Sequence, residues 1–193
     1  MTINKEKDAV NKRTRLVFAY GSDMDFNQIK SRCSKPSIVT IGYLPDYELA
    51  FFGYTPVWDG AMETFVMCKG KTLWGVLYEI PFHDCDDLDY WYDARFDGTG
   101  NYFHFPCTIY DVSGNPYYAY LYKKDINGIP QKPSTPYRDM IVNAASFHKL
   151  PPYYICHLEN IDSKPVSYNV PKNPNSPFSF GTHSHSCESC SPE

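Results

Sequence analysis

The 193-residue chain lacks an apolar run approaching the roughly 18 to 20 residues that cross a bilayer. It also lacks an excess of basic charge. With 18 Lys and Arg against 22 Asp and Glu, the formal net charge of -4 provides no field for nucleic acid or an anionic membrane. The opening residues Met1 to Asp8 are polar and of mixed charge, without an apolar signal core, so a cytoplasmic location is expected. No internal repeat is visible. Cysteine is present but not in a disulfide pattern: seven is an odd number, and Cys33, Cys68, Cys85, Cys107 and Cys156 stand singly, as packing thiols do. None sits in a recognisable nucleophile elbow or helix start.

What is there is a folded composition, 42% hydrophobic and 17% aromatic, long enough for one domain with a sizeable core. Residues 1–14 read as a frayed lead, 15–162 as the domain, and 163–193, rich in Pro, Ser and Asn, as a tail. Leu16 to Ala19 is an apolar run that breaks into Tyr20-Gly21-Ser22-Asp23-Met24, with a helix expected from Asp25 to Arg32. At such a strand-to-helix turn backbone N–H groups point outward and grip an anion, Gly21 allows close approach, and Ser22 adds a hydroxyl. Strands are expected at 37–44, 47–52, 64–68 and 73–80, with breaks at Pro45-Asp46 and Lys69-Gly70-Lys71. An acidic helix follows near 84–91, with Asp84 as its cap. Residues 102–110 and 117–122 form a hairpin around Asp111 to Pro116, and helices are expected at 136–148 and about 152–160, the first capped by Ser134 or Thr135. Many short strands with few helices predict an α+β fold on a small closed sheet.

Several separated stretches, in order from about residue 16 to 161, resemble the γ-glutamylcyclotransferase superfamily. Phe18-Ala19-Tyr20-Gly21-Ser22-Asp23-Met24 is similar to its Tyr-Gly-Ser-Asn opening, with Arg32-Cys33 downstream. Trp58 to Thr64 is similar to its Gly-Gly-x-Ala-Thr segment, Leu73 to Glu79 to its Val-Trp-Gly-Val-x-Tyr strand, and Asp97-Gly98 with Tyr102 to its Glu-Gly and following Tyr. Pro133 to Tyr137, Ile141 to Ala145 and Leu150 to Tyr153 resemble its closing helices. The resemblance implies a single-domain mixed β-barrel flanked by helices, without cofactor. It also implies a lyase-like intramolecular acyl transfer on a γ-glutamyl amide: the α-amine attacks the γ-carbonyl, 5-oxoproline closes, and an amine leaves. Tyr20, Gly21, Ser22, Asp23 and Met24 would hold the substrate with Tyr102 and Tyr137, while Trp58 and Phe52 would shape the leaving-group side.

Three departures fall at the expected pocket. Asp97 replaces the family's catalytic Glu, although a register from Leu88-Asp89 puts Tyr92 or Asp93 there instead. Asp23 replaces Asn and either opposes a substrate carboxylate or caps the following helix. Glu63 replaces a small residue and is a relocated proton shuttle or a solvent-facing strand end. Catalysis is therefore expected from Asp97 or Glu63, and three acids together also offer oxygen ligands to a divalent metal. Competing readings are a barrel that binds small molecules without chemistry, and amide or amine chemistry on a substrate lacking the α-carboxylate. The expected partner is a small molecule, with neither nucleic acid nor membrane. His104 and His148 are expected in structural or solvent-facing roles. In the tail, His183, His185, Cys187 and Cys190 have spacing compatible with zinc, or belong to an unstructured end.

Overall fold

A computed structural model describes residues 14–95, 97–124 and 128–172. Five strands close into a barrel in the order β1-β3-β2-β4-β5: β1 Thr14–Ala19, β2 Ser37–Thr55, β3 Gly60–Pro81, β4 Tyr102–Asp111 and β5 Pro116–Lys124. Neighbours are antiparallel except β1 and β5, which meet in parallel at Val17 and Tyr120, so the barrel is mixed. Closure leaves no edge to template pairing with another chain. The helices are α1 Phe26–Arg32, α2 Phe82–Tyr92, α3 Thr135–Phe147 and α4 Pro152–Glu159, and a 3₁₀ turn spans Ser22–Met24. No helix among the described residues is long and apolar enough to cross a membrane.

Two expected strand breaks are bends instead. β2 and β3 run as one long hairpin, with the register slipping between Pro45 and Tyr47. There Asp46 adopts φ 62° and Gly70 φ 81°, and the Gly70 N–H donates to Asp46 Oδ1 at 2.8 Å. A bulge needs the same left-handed conformations as a turn, so the composition matches both, while the pairing continues past it. These bends let each long strand curve around the barrel. The core on the two faces of the sheet includes Phe18, Phe65, Leu73, Leu77, Tyr78 and Leu121, all essentially without solvent contact. Each such side chain contributes about 1.5 to 3 kcal/mol on burial.

The helices deliver side chains toward one end of the barrel. α1 is capped by Asp25, whose carboxylate accepts from Asn27 and Gln28 N–H at 2.9 Å; Asp23 does not cap it. α2 buries Cys85, Leu88 and Tyr92, one stripe of a 3.6-residue period, which turns Tyr92 inward at its last turn. Its N-cap is Pro81 rather than Asp84; Asp84 is buried and accepts from Ser34 N–H and Oγ and from Lys35 N–H, tying α2 to the end of α1. α3 starts at Ser134, has Pro at its first turn, and buries Tyr137, Ile141, Ala144 and Ala145 along one face. Among the described residues the five cysteines are free.

Residues just past the expected boundary at 163 bond to the domain. Lys164 pairs by its backbone with Pro133 and Thr135, Ser167 donates twice to Asp59 at 2.6 Å, and Lys172 N–H donates to Val57 O at 2.8 Å. Residues 164–172 thus strap the β2–β3 connection, which has no strand partner of its own. The zinc-spaced His183, His185, Cys187 and Cys190 lie outside the described residues.

Candidate functional site

Strand β1 ends in the barrel wall, and the chain must turn at once to enter α1. The turn at Gly21-Ser22 faces β3, where Glu63 sits fully buried. One carboxylate oxygen, Glu63 Oε1, accepts from Ser22 N–H at 3.1 Å and from Ser22 Oγ at 2.8 Å. Neither bond uses Oε2. The absent side chain of Gly21 makes this possible, since a Cβ there would lie 2.4 Å from Glu63 Cγ. Burial raises the Glu63 carboxyl above its ordinary value of 4.5; the Ser22 bonds pull it down, and the Asp23 charge pushes it up.

Glu63 lines a partly open cavity at the barrel mouth, with Ser22, Arg32, Trp58, Tyr92 and Tyr137. Tyr102, Trp91, Thr55, Val57 and Met62 complete it. Three hydroxyls are committed as donors: Tyr20 to the Tyr122 carbonyl, Tyr102 to Glu63 O at 2.9 Å, and Tyr92 to Asp23 Oδ2 at 2.6 Å. Burial foremost, then the nearby carboxylates, holds all three phenols well above the usual tyrosine value. The Tyr137 ring packs on Trp58 at 5.0 Å between centroids. Of the expected binding residues, Tyr20 stands behind the wall, Met24 is wholly buried, and Tyr102 and Tyr137 line the cavity. Phe52 is buried and does not line it.

Asp23 is buried in an ion pair with Arg32, the two side chains only 6% and 5% exposed. The Arg32 guanidinium also stacks over Trp91 at 4.1 Å, and its second terminal nitrogen donates to Gln28 Oε1 at 3.2 Å. Its Nε–H is buried with no acceptor among the described residues. The Asp23 anion is therefore neutralised locally. Arg32 entered the sequence reading only as part of a motif, because its distance from the turn along the chain hides that one helix brings it back.

Asp97 was expected to look across the mouth at the Gly21-Ser22 amides, and this is corrected. It is exposed in the turn before β4, where its Oδ1 accepts from Thr99 N–H at 3.0 Å and Thr99 Oγ at 2.7 Å. Those bonds lower its carboxyl below the ordinary value. An Asp before Gly satisfies its own turn, and this one does. From this region Tyr92 lines the cavity, one of the two residues, Tyr92 or Asp93, that the register from Leu88-Asp89 offers. Asp93 adopts φ 47° as the α2 C-cap and accepts from Arg95 and Asn101. With Asp97 outside, the three-acid metal site falls away, and no cluster of three His, Cys, Asp or Glu suited to a metal occurs among the described residues. Both histidines are structural: His104 Nε2 pairs with Asp89 at 2.6 Å, and His148 Nε2 lies 2.8 Å from Met24 O, steadying the turn.

A barrel of this order has counterparts among solved structures. Residues 72–158 match the AIG2-like family. A solved γ-glutamyl cyclotransferase superposes with TM-score 0.76 at 22% identity, covering 84% of this chain and 96% of its own. An uncharacterized protein from Homo sapiens gives TM-score 0.77, also at 22% identity and with the same coverage. YkqA from Bacillus subtilis gives 0.63 at 21% identity, over 79% of this chain and 56% of its own. Among curated proteins, none matches in sequence. The chain has the γ-glutamylcyclotransferase-like fold.

Proposed function

We propose that the protein is an intramolecular acyl transferase of the γ-glutamylcyclotransferase type. It acts on a γ-glutamyl amide or a related small molecule and releases 5-oxoproline or a related lactam together with a free amine. The observation that carries this reading is the buried Glu63 carboxylate, anchored by Ser22 through one oxygen and lining the cavity.

The reaction asks little of the protein because the nucleophile is tethered. Intramolecular attack of an oriented amine on its own carbonyl reaches effective molarities of about 10⁵ to 10⁸ M, so folding the substrate into the ring-closing conformer supplies much of the rate. Trp58, Trp91 and Tyr137 provide the walls for that folding. Glu63, with its proton affinity raised by burial, accepts a proton from the attacking ammonium through Oε2 and hands one to the leaving nitrogen. Arg32 Nε–H, a donor in need of an acceptor, is assigned to the carbonyl oxygen as negative charge develops there. The matching test incubates the protein with assorted γ-glutamyl and related γ-aminoacyl amides and measures lactam and amine release. Turnover that Glu63→Gln abolishes supports the proposal, and turnover indifferent to Glu63 overturns it.

A further inference from the structure

In a γ-glutamyl amide the carbon bearing the attacking amine also bears a carboxylate, which needs donors of its own. Two of the donors that the strand-to-helix turn offers here are Ser22 N–H and Ser22 Oγ–H. Both are already engaged by Glu63 Oε1, and Glu63 Cγ fills the space a Gly21 side chain would take. The protein's own carboxylate therefore occupies the anion seat. A second carboxylate beside it would meet a like charge in a buried setting, which costs several kcal/mol in general.

Arg32 does not offer a replacement seat. Each terminal nitrogen already donates to a protein acceptor, Asp23 Oδ1 and Gln28 Oε1, one ring face is covered by Trp91, and the nitrogen without an acceptor among the described residues is Nε, whose single N–H suits a carbonyl, so a carboxylate would compete with Asp23 and Gln28 for a two-point grip. Its charge is offset by Asp23. The remaining lining is aromatic, with Trp58, Trp91, Tyr92, Tyr102 and Tyr137 around Glu63. Ring faces around a buried anion favour an ammonium group.

Resting on the cyclotransferase reading, we propose that the cavity selects γ-aminoacyl amides without a carboxylate beside the amine, 4-aminobutyryl amides being the simplest, and closes them to pyrrolidin-2-one. The amine nitrogen forms a bond to the amide carbonyl carbon, and the bond from that carbon to the leaving nitrogen breaks. Two protons leave the substrate ammonium, one freeing the lone pair for attack and one as the lactam N–H forms, and both reach the leaving nitrogen by way of Glu63, so that it departs as an ammonium ion. Atoms balance without water or any co-reactant.

The test compares the 4-aminobutyryl and γ-glutamyl amides of one amine as substrates of the wild-type protein, and pyrrolidin-2-one with 5-oxoproline as ligands by calorimetry. The 4-aminobutyryl amide is expected to lead by about tenfold or more in kcat/KM, and pyrrolidin-2-one to bind more tightly by a similar factor. Glu63→Ala, which vacates the Ser22 donors, is expected to reverse the order of the two lactams. A smaller preference, or a preference for the γ-glutamyl amide or 5-oxoproline, overturns the selectivity while leaving the cyclotransferase reading standing. Turnover of neither amide overturns both. Should Glu63→Ala not fold, the wild-type ratios decide alone.

Discussion

Glu63 Oε1 lies 2.8 Å from Ser22 Oγ and 3.1 Å from Ser22 N, so a carboxylate from β3 reaches across the barrel mouth to the turn that leaves β1. The contact joins residues 41 apart in sequence and fixes both the shape of the cavity and its charge. The consequences of removing or loading it differ from those of an ordinary core contact.

The first consequence is in pH. Ser22, Asp23, Tyr20 and Tyr102 surround Glu63, and burial raises its carboxyl above the ordinary 4.5. The unfolded chain then loses this proton before the folded one does, so the group's contribution to stability is greatest below 4.5 and declines as pH rises toward the raised value. Glu63→Gln removes that decline. Thermal melts of the two proteins across pH are expected to show the variant gaining on wild type as pH rises from about 4, with no further gain once Glu63 is ionised in both states. A constant gap would contradict the raised value.

Packing at Gly21 gives the second. A Cβ there would sit 2.4 Å from Glu63 Cγ. Gly21→Ala is expected to cost about 1 to 3 kcal/mol by overpacking. In a Glu63→Ala background the same change is expected to cost clearly less. Urea titration of the four proteins measures the coupling, which equal costs in both backgrounds would exclude.

The buried ion pair gives the third. Asp23 and Arg32 are 6% and 5% exposed, and Tyr92 supplies Asp23 with a further donor. Arg32→Ala leaves an anion buried without its cation and is expected to cost about 3 to 5 kcal/mol in denaturant unfolding. The double variant Arg32→Ala with Asp23→Asn is expected to recover part of that loss.

At the bend of the long hairpin, Gly70 has φ 81° and open space where a side chain would go. Gly70→Ala is therefore expected to cost about 1 to 2 kcal/mol from backbone strain alone. The same substitution gives no steric clash, so spectra of the folded state should be unchanged.

Much of the architecture was legible in the sequence. The apolar Leu16 to Ala19 run, the Asp111 to Pro116 hairpin turn and the Ser134-Thr135-Pro136 helix start each carry a local signal with one structural meaning, and each element lies where it points. Pro45-Asp46 and Lys69-Gly70-Lys71 carry a signal with two meanings, because left-handed residues serve turns and bulges alike, and only the partner strand decides between them. The same ambiguity displaced the site. Asp97-Gly98 satisfies both a carboxylate motif and a self-bonded turn, and hydrogen bonding to Thr99 resolves it as the turn. Glu63 stood out as an acid where the resembling family has a small residue, at the end of an expected strand, but whether it faced inward depended on closure of the barrel.

The central claim is that the acid working in this cavity is Glu63 and not Asp97. The most direct measurement is kcat/KM of wild type, Glu63→Gln and Asp97→Asn on a γ-aminoacyl amide, with folding checked by circular dichroism. Glu63→Gln is expected to lose about 10² to 10⁴-fold, and Asp97→Asn to stay within about twofold of wild type. A folded Glu63→Gln variant that turns over as wild type does, or an Asp97→Asn variant that does not, would contradict the claim.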